Sequence, residues 1–578
     1  MPSRIITALF FTYLINAIDA QNAVIQDPQL ISPSYRVYLS PDGNDLNTGD
    51  SLFPLATFSA ALDKLDFLSQ PVTGNIYGEV VVYSGNYSEI FKQPLNKYQI
   101  GSKLMNVSLR GKGNVVLDGT TLTVSPGNGM IYLLGSNIHV KNISVNYSSD
   151  NGVRFGYNYN GTVINSHDIW IDSVNVTQTT GHGIIVGISP LNTNGSSTLI
   201  PRAKRFKISN CHVHNAVNNN TSQTQWGSSV KFLNTSHNQA LNNHVHDNSG
   251  EGIDFDFCDT AEIRGNLLHD NFANIYLDKM QYAFIHKNLI YNETKVVSGI
   301  LLGLEAYTAF VTNHYIKDIY IQNNIILNTL GINIWQGIYS ALQNGYFQNI
   351  QIRNNTIIGK QFGNGSQISF SYNTFLGQPV SNVFFSNLSI DRNIISAHLD
   401  SLNNARLISA ALDPQPSLTF GDNLFNMNPG FGYNAASDGI VSALLVSVDP
   451  ISDVLWQLTP NTTYNPNFVK NALNTVSITD DYAGISRGIL NTNIGALELN
   501  ESLFINESKE DFPLIYPNPS SGFLNIHCMD CQLLIKDLNG RLIGLYNKSQ
   551  LKELNLNPGV YYIINTADNK TEKIIVVQ

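Results

Sequence analysis

Asn242-Asn-His-Val-His-Asp-Asn248 is followed by two segments of the same pattern, Gly265-Asn-Leu-Leu-His-Asp-Asn271 and Lys287-Asn-Leu-Ile-Tyr-Asn292. Asn323-Asn-Ile-Ile-Leu-Asn328 and Asn354-Asn-Thr-Ile-Ile-Gly359 continue the series. The first three segments are 23 and 22 residues apart, and the later ones follow after 36 and 31 residues. A period in the low twenties indicates a solenoid, and the longer spacings predict loops inserted into some of its turns.

The apolar residues of these segments distinguish two kinds of solenoid. A leucine-rich repeat needs a fixed Leu-x-x-Leu-x-Leu frame, which the segments lack. β-Branched residues dominate instead, the apolar runs are short, and no stretch with helical periodicity separates them. The sequence therefore predicts a parallel β-helix, with asparagine side chains hydrogen-bonded from coil to coil at the turns.

The two ends of this region resemble those of a known superfamily. Tyr38-Leu-Ser-Pro-Asp-Gly-Asn-Asp-Leu-Asn-Thr-Gly49 and Gly78-Glu-Val-Val-Val-Tyr-Ser-Gly-Asn-Tyr87 resemble the opening of pectate-lyase-like proteins, and Ile494-Gly-Ala-Leu-Glu498 resembles their closing segment. The resemblance implies an all-β, right-handed parallel β-helix over residues 35–498. It does not specify an activity, because the superfamily contains lyases, hydrolases, epimerases and proteins that are not enzymes.

The C-terminal residues form a separate module. Tyr516-Pro-Asn-Pro-Ser-Ser-Gly522, Ile535-Lys-Asp-Leu-Asn-Gly-Arg541 and Leu556-Asn-Pro-Gly-Val-Tyr-Tyr562 indicate short strands between Pro, Gly and Asn turns, hence a small β-sandwich. In this order they resemble the type IX secretion sorting domain of Bacteroidetes. The resemblance implies a sorting domain over residues 512–578, a linker over 499–511 and the type IX secretion machinery as a partner.

The N-terminus predicts export by another signal. Arg4 precedes the apolar run from Ile5 to Ile15, and Ala20 offers a small residue before a cut at Gln21, as in a signal peptide over residues 1–20. We therefore expect a secreted or surface-attached protein. With a net charge of −10 on 578 residues, a nucleic-acid partner is not expected. Four cysteines are too few for a disulfide scaffold. The protein is expected to be a monomer.

Aligning the coils by their asparagines predicts which side chains share a face. Val230, Ile253 and Ile275 form an inward column, which Ile300 and Ile332 continue. Since successive residues of a strand point to opposite sides, two outward columns follow. The first is Lys231, Asp254, Tyr276, Leu301 and Asn333, and the second is Leu233, Asp256, Asp278, Gly303 and Trp335. Glu251 and Glu305 flank these columns at the strand ends.

Two chemistries fit this predicted acidic face. In a polysaccharide lyase, Asp256 and Asp278 hold Ca²⁺ against a uronate, and Lys231 or Tyr276 is the base. In a glycoside hydrolase, Asp254 and Asp256 act as acid and base. Trp335, Glu251 and Glu305 are the candidate substrate contacts in both cases. The substrate is expected to be an extracellular, acidic polysaccharide.

Two other interpretations remain open. Outward aspartates can be a merely solvated face, and the chain can be a non-catalytic surface protein that binds glycans or adheres to a substratum.

His214, His246 and His269 are expected to stack with Tyr291 as a packing feature. A metal site at His246 and His269 lacks an evident carboxylate ligand. Gly181-His-Gly183 resembles a hydrolase motif but occurs upstream of the acidic coil rather than downstream, and is interpreted as coincidence.

Overall fold

The computed structural model describes residues 25–427 except 70–74, 94–98, 101–102, 160–161, 165, 191–199, 201, 219–226, 296, 306–312, 338–342, 360–365, 373–382, 398–406 and 411–417. Beyond residue 427 it describes residues 429–430, 439–440, 482, 495–496, 515–516, 525–526, 532–537, 542–547, 559–565 and 571–576. The predicted signal peptide and linker lie outside the described residues, as do Cys528 and Cys531.

Short parallel strands form the coils of a β-helix, and each coil contributes to up to three faces. Face 1 is a sheet of 11 parallel strands in the described part of the chain. Its strands are Phe91–Lys92, Gly129–Leu133, Asn151–Phe155, Ile184–Gly187, Ser228–Leu233, Glu251–Asp256, Ile275–Asp278, Ile300–Glu305, Ile332–Gly337, Ile368–Tyr372 and Ile408–Ala410.

Faces 2 and 3 belong to one continuous sheet, because Lys103–Asp118 pairs with strands of both. Face 2 contains Tyr35–Leu39, Ile76–Tyr87, Lys103–Asp118, Ile138–Lys141, Ile169–Asp172, Ala203–Ser209, Thr235–Leu241, Asp259–Arg264, Gln281–His286, Asn313–Gln322, Asn344–Arg353, Val383–Asp391 and Leu418–Gly421. Face 3 contains Ser144–Ser148, Asn175–Thr179, His212–His214, His244–His246, Leu267–His269, Leu289–Tyr291, Ile325–Thr329, Thr356–Gly359, Ile394–Ser396, Leu424–Phe425 and Gly439–Ile440. Antiparallel pairs are formed by Gln99–Ile100 with Lys103–Asp118 and by Tyr157–Tyr159 with Thr162–Ile164.

The corners between faces are sharp because one residue at each adopts the left-handed conformation. Asn234, Phe257 and Lys279 have φ values of 53°, 56° and 54° at the corner from face 1 to face 2. Asn242 and Asn323 do the same between faces 2 and 3. Asparagine tolerates this conformation best among residues with a side chain, which explains part of its recurrence at the turns.

A ladder of buried asparagines holds the corner between faces 2 and 3. Each member donates its Nδ2 to the Oδ1 of the next at 2.9–3.1 Å, and that Oδ1 also accepts a backbone N–H. The ladder runs through Asn243, Asn266, Asn288, Asn324, Asn355, Asn393 and Asn423. The predicted coil-to-coil hydrogen bonding of asparagines is confirmed.

The interior of the coils is filled by columns of aliphatic side chains. Val230, Ile253, Ile275, Ile300 and Ile332 pair in register and have no exposed surface. Fully burying one such side chain stabilises the fold by about 1.5–3 kcal/mol. The predicted inward column is therefore confirmed. The residues that alternate with it along each strand point outward from face 1.

One helix, Phe58–Leu68, precedes the first long strand in the described residues. Thr57 caps it by accepting the Ala60 N–H at 3.2 Å, and the Glu89 carboxylate accepts the Phe58 N–H at 3.0 and 3.1 Å. Phe58, Leu62 and Leu65 lie on its buried side. Nothing in the repeats predicts this helix. Among the described residues, no helix has the length and hydrophobicity needed to cross a bilayer.

The C-terminal module contains two antiparallel sheets. Gln532–Asp537, Leu542–Asn547, Gly559–Asn565 and Thr571–Val576 form one, and Ile515–Tyr516 pairs with Asn525–Ile526 in the other. The chain divides into two compact units, Met1–Ser442 with Asn465–Glu498, and Ala443–Tyr464 with Leu499–Gln578. The predicted all-β fold class is confirmed, whereas the residue boundaries of the domains remain predictions.

Candidate functional site

The two predicted outward columns of face 1 are present in the predicted register. Lys231, Asp254, Tyr276, Leu301 and Asn333 are successive partners across neighbouring strands. The second column, Leu233, Asp256, Asp278, Gly303 and Trp335, is likewise continuous. Parallel pairing thus places Lys231, the three aspartates and Tyr276 on three adjoining coils.

The carboxylates of these columns are buried, so the predicted outward direction of the aspartates does not expose them to solvent. Asp254, Asp256, Asp278 and Glu251 are only 2%, 7%, 3% and 4% exposed. A strand pattern predicts the direction of a side chain but not what packs over it. Here lysines, a tyrosine and the carboxylates of adjacent coils cover one another. A merely solvated face is therefore not what the structure contains.

Lys231 joins the two columns through its ammonium group. Its Nζ is 2.6 Å from Asp254 Oδ2 and 3.6 Å from Asp256 Oδ2. Burial opposes the charge, but Asp254 and Asp256 outweigh it and raise the pKa of Lys231 above its usual value. Burial also raises the pKa of Asp254, against the opposing effect of Lys231. Lys231 is therefore protonated at neutral pH and poorly suited to accept a proton.

Lys279 is a second cation in the cluster, and the sequence pattern did not predict it. Its ammonium contacts Asp278 Oδ2, lies 3.6 Å from Asp256 Oδ1, and sits 4.5 Å from the centre of the Phe257 ring. Alternation would point a residue after Asp278 away from face 1. Because Lys279 is the left-handed corner residue, its side chain instead returns over the carboxylates.

Lys279 bears on the predicted calcium site. A Ca²⁺ ion bound by Asp256 and Asp278 needs the space between their carboxylates, and the Lys279 ammonium is placed there. Burial raises the pKa of Asp278 well above its usual value, and Lys279 only partly offsets this. The calcium role of this pair stays a prediction, and a Ca²⁺ ion bound there would have to displace the Lys279 ammonium.

Glu251 lies next to Asp254 through a shared hydroxyl. Ser228 Oγ is 2.7 Å from Asp254 Oδ2 and 3.2 Å from Glu251 Oε2. Burial, and then the Asp254 charge, raise the pKa of Glu251 to about 8. Glu251 is therefore a protonated carboxylic acid near neutral pH, beside the carboxylate of Asp254.

His182 also borders this group, although its Gly-His-Gly context was interpreted as coincidence. Its Nδ1 accepts the backbone N–H of Ser228 at 2.9 Å. Burial, and then Lys231, lower the pKa of His182 to about 3, so the imidazole is neutral. We assign it a positioning role, because it fixes the backbone that carries the Ser228 hydroxyl.

Tyr276 and Glu305 form a second hydrogen-bonded pair at the edge of the cluster. The Tyr276 hydroxyl donates to Glu305 Oε1 at 3.0 Å, and the Glu305 backbone N–H donates to Asp278 Oδ1 at 3.2 Å. A Cβ on Gly303 would lie 2.6 Å from the Tyr276 ring, so glycine is needed there. Burial, and then Asp278, raise the pKa of Tyr276 well above its usual value, which keeps the phenol protonated.

Trp335 is less closely connected to the cluster. It is partly exposed and belongs to the same column as Asp278, with Gly303 in the coil between them. A Cβ on Gly337 would lie 2.7 Å from its indole ring, so the ring packs over Gly337. The structure thus places Trp335 on face 1, two coils from Asp278 in the same column.

Two carboxylate oxygens in the cluster and one arginine on the same face have polar atoms left for further contacts. Asp254 Oδ1 and Asp256 Oδ1 are buried and accept no hydrogen bond from any described residue. Arg154 lies on the same face, separated from Lys231 by the Ile185 coil. Its Nε donates to Gly156 O at 3.3 Å, and it forms no ion pair with a described residue. The asparagine register of the five repeats does not extend to the coil of Arg154, whereas strand pairing through Ile185 places Arg154 in the column of Lys231.

Residues 514–578 match the family of secretion system C-terminal sorting domains. The chain therefore carries a type IX sorting domain and is exported to the cell surface or the extracellular space, as predicted. No curated protein matches the chain.

Solved structures with similar folds include three carbohydrate-related proteins. XylC in complex with xylose is 10% identical, with 80% of this chain and 98% of that chain covered and a TM-score of 0.40. The A-module of the mannuronan C-5 epimerase AlgE4 from Azotobacter vinelandii is 17% identical (70% and 96%, TM-score 0.42). The pectate lyase Pel9A is 14% identical (81% and 98%, TM-score 0.32). A likeness of this degree concerns the fold alone.

Proposed function

We propose that the protein is an exported enzyme that cleaves an acidic polysaccharide at the carboxylate cluster of face 1. The observation that carries the proposal is the burial of Asp254 and Asp256 against Lys231, with one oxygen of each carboxylate left without a hydrogen bond. A buried polar atom without a hydrogen bond costs free energy, and the Lys279 ammonium, 3.6 Å away, partly offsets this cost at Asp256 Oδ1. Ionisable groups in such buried surroundings concentrate at functional sites.

Acid–base roles follow from the protonation states in the cluster. Glu251, whose pKa is raised to about 8, is the proton donor to the leaving oxygen. Asp254 or Asp256 is the carboxylate that activates water. The Ser228 hydroxyl lies 2.7 Å from Asp254 Oδ2 and 3.2 Å from Glu251 Oε2, which places the proposed acid beside one of the two candidate bases. Lys231 and Tyr276 hold protons and serve to stabilise charge.

Cationic groups on face 1 favour an acidic substrate. Arg154, which lies two coils from Lys231, forms no ion pair with any described residue. A guanidinium binds a carboxylate in bidentate fashion, and Trp335 offers a ring against which a sugar can pack. A uronate-containing chain laid across these coils meets both groups.

One assay tests this proposal. Purified protein is incubated with acidic and neutral polysaccharides, and new reducing ends and unsaturated products are measured. We expect Asp254→Asn and Asp256→Asn each to lower the rate by at least about 100-fold. Asp259→Asn, an aspartate of face 2 paired with Arg202 at 3.4 Å, is the matched control and should retain activity.

The possible results have distinct meanings. If the wild type cleaves nothing but retains polysaccharides, the protein is a binding or adhesion protein rather than an enzyme. If Asp254→Asn and Asp256→Asn are both as active as the wild type, the site lies elsewhere. Unsaturated products select a lyase, and a need for Ca²⁺ after chelation restores the calcium role of Asp256 and Asp278.

A further inference from the structure

Five histidines converge on face 3, away from the strands that carry the carboxylate cluster. They come from three successive coils, in His212–His214, His244–His246 and Leu267–His269. Within each strand the middle residue points inward, so the five imidazoles share the outward side. The predicted stack of His214, His246, His269 and Tyr291 is confirmed by ring distances of 5.2, 4.6 and 4.6 Å.

The ring nitrogens of these histidines face one another. His212 Nε2 is 2.7 Å from His246 Nε2, and His244 Nε2 is 3.1 Å from His269 Nε2. Potential ligand atoms of His212, His244 and His246 all lie within 4.8 Å of one another. Imidazole nitrogens bind zinc at about 2.0–2.1 Å, so small rotations of the rings are enough to surround one ion.

A carboxylate orients the central histidine, contrary to the expectation that none is available at this turn. His246 Nδ1 is 2.7 Å from Asp247 Oδ2, and His269 Nδ1 is 3.2 Å from Asp270 Oδ2. Asp247 has a left-handed φ of 53°, which alternation along the strand does not anticipate. A carboxylate on Nδ1 fixes the tautomer in which Nε2 offers its lone pair, as at most metal-binding histidines.

We propose that His212, His244 and His246 form a binding site for a divalent transition-metal ion of the zinc class, with Asp247 as the group that orients His246. Stacking alone does not account for the residue type. Tyr291 continues the same stack without an imidazole, so an aromatic ring is sufficient for packing there. Imidazole nitrogen is a preferred ligand of Zn²⁺ and Cu²⁺. The site goes beyond the proposed polysaccharide cleavage and does not depend on it.

The test measures Zn²⁺ binding by the full chain without an oligohistidine tag. Equilibrium dialysis and titration calorimetry should find one tightly bound Zn²⁺ in the wild type. His246→Phe keeps the stacked ring and removes the nitrogen, and we expect it to weaken binding at least about 10-fold. Asp247→Asn should weaken binding about 10-fold while leaving the stack in place.

The matched control is His139→Phe, a histidine stacked on Trp170 at 4.5 Å on face 2. It should bind Zn²⁺ as the wild type does. Co²⁺ provides a second readout, because its visible absorption reports coordination by the protein directly. If His246→Phe fails to fold, His212→Phe must show the same loss. Undiminished Zn²⁺ affinity in a folded His246→Phe or His212→Phe variant, or no binding by the wild type, overturns the proposal.

Discussion

Glu251 shows how the surroundings of one residue set its protonation. The side chain faces Asp254 across the Ser228 hydroxyl and is almost completely buried. Burial, and then Asp254, raise its pKa from 4.5 to about 8. The opposite case is Glu79, where Arg110 and Arg36 overcome the effect of burial and hold the pKa below its usual value. Two glutamates on the same β-helix therefore have opposite pH responses.

The raised pKa of Glu251 predicts how stability depends on pH. A carboxyl group that binds its proton more tightly in the folded state stabilises the fold fully below pH 4.5, and this contribution is lost as the pH rises to about 8. We expect unfolding free energy to fall over this window, with a slope from this group of up to about 1.4 kcal/mol per pH unit. Glu251→Gln should flatten the slope, as measured by denaturant unfolding at several pH values.

The control for this prediction is Glu79→Gln. Because the pKa of Glu79 is lowered, its contribution is present above its unfolded pKa and is lost towards acid. Removing it should leave the decline between pH 5 and 8 unchanged. An identical pH profile for the wild type and Glu251→Gln means that the proton is not held by Glu251.

The asparagine ladder is the element that connects successive coils at one corner. Each member has its side chain satisfied by the neighbouring side chain and by a backbone carbonyl, as Asn288 is by Asn324 and Ile263. Since the ladder is buried, removal of one member leaves partners on both sides without their hydrogen bonds. An unsatisfied buried group costs about 1–3 kcal/mol.

Asn288→Ala should therefore destabilise the β-helix by about 2–5 kcal/mol, because the backbone N–H and Nδ2 of Asn266 both lose Asn288 Oδ1 as their acceptor. Asn114→Ala, at an exposed position, is the control and should change stability by less than about 0.5 kcal/mol. Equilibrium denaturation of the three proteins measures both values. Equal stability of Asn288→Ala and the control shows that the ladder does not hold the coils together.

The strands and the asparagine turns could be predicted from the sequence, whereas the side-chain directions of the left-handed corner residues could not. Alternation along a strand and the asparagine register together assigned Lys231, Asp254 and Asp278 to their columns. Alternation does not predict the side-chain directions of Lys279 and Asp247, because both are left-handed corner residues that depart from the strand pattern. Alternation does not predict the burial of the carboxylates either, since periodicity does not show which neighbours cover a side chain.

The sorting domain is a property of the whole molecule rather than of the β-helix. Residues 514–578 match its family, and their described strands pair with one another in antiparallel sheets. We expect deletion of residues 512–578 to abolish export through the outer membrane, so that the chain accumulates in the periplasm of a host with type IX secretion. Cell fractionation and immunoblotting measure this.

The matched experiment transfers the module. A fluorescent reporter with a signal peptide and residues 499–578 at its C-terminus should reach the cell surface or the medium, whereas the reporter with the signal peptide alone should not. Export of the truncated β-helix at the wild-type level contradicts the assignment.

The spacing of the ladder asparagines has a consequence for how the chain folds. Bonded neighbours are only 22–38 residues apart, in a chain of 578 residues, which is a low relative contact order for a β protein. Sheet proteins usually fold slowly because segments distant in sequence must meet, at a cost in chain entropy, before stabilising contacts can form between them. Here each new coil closes a loop of similar length on the edge of the coil before it. The entropic cost of loop closure is therefore divided among the coils, and the contacts of each coil offset its own share. We infer that folding advances along the axis from any completed coil, at a rate that the total length of the chain does not limit.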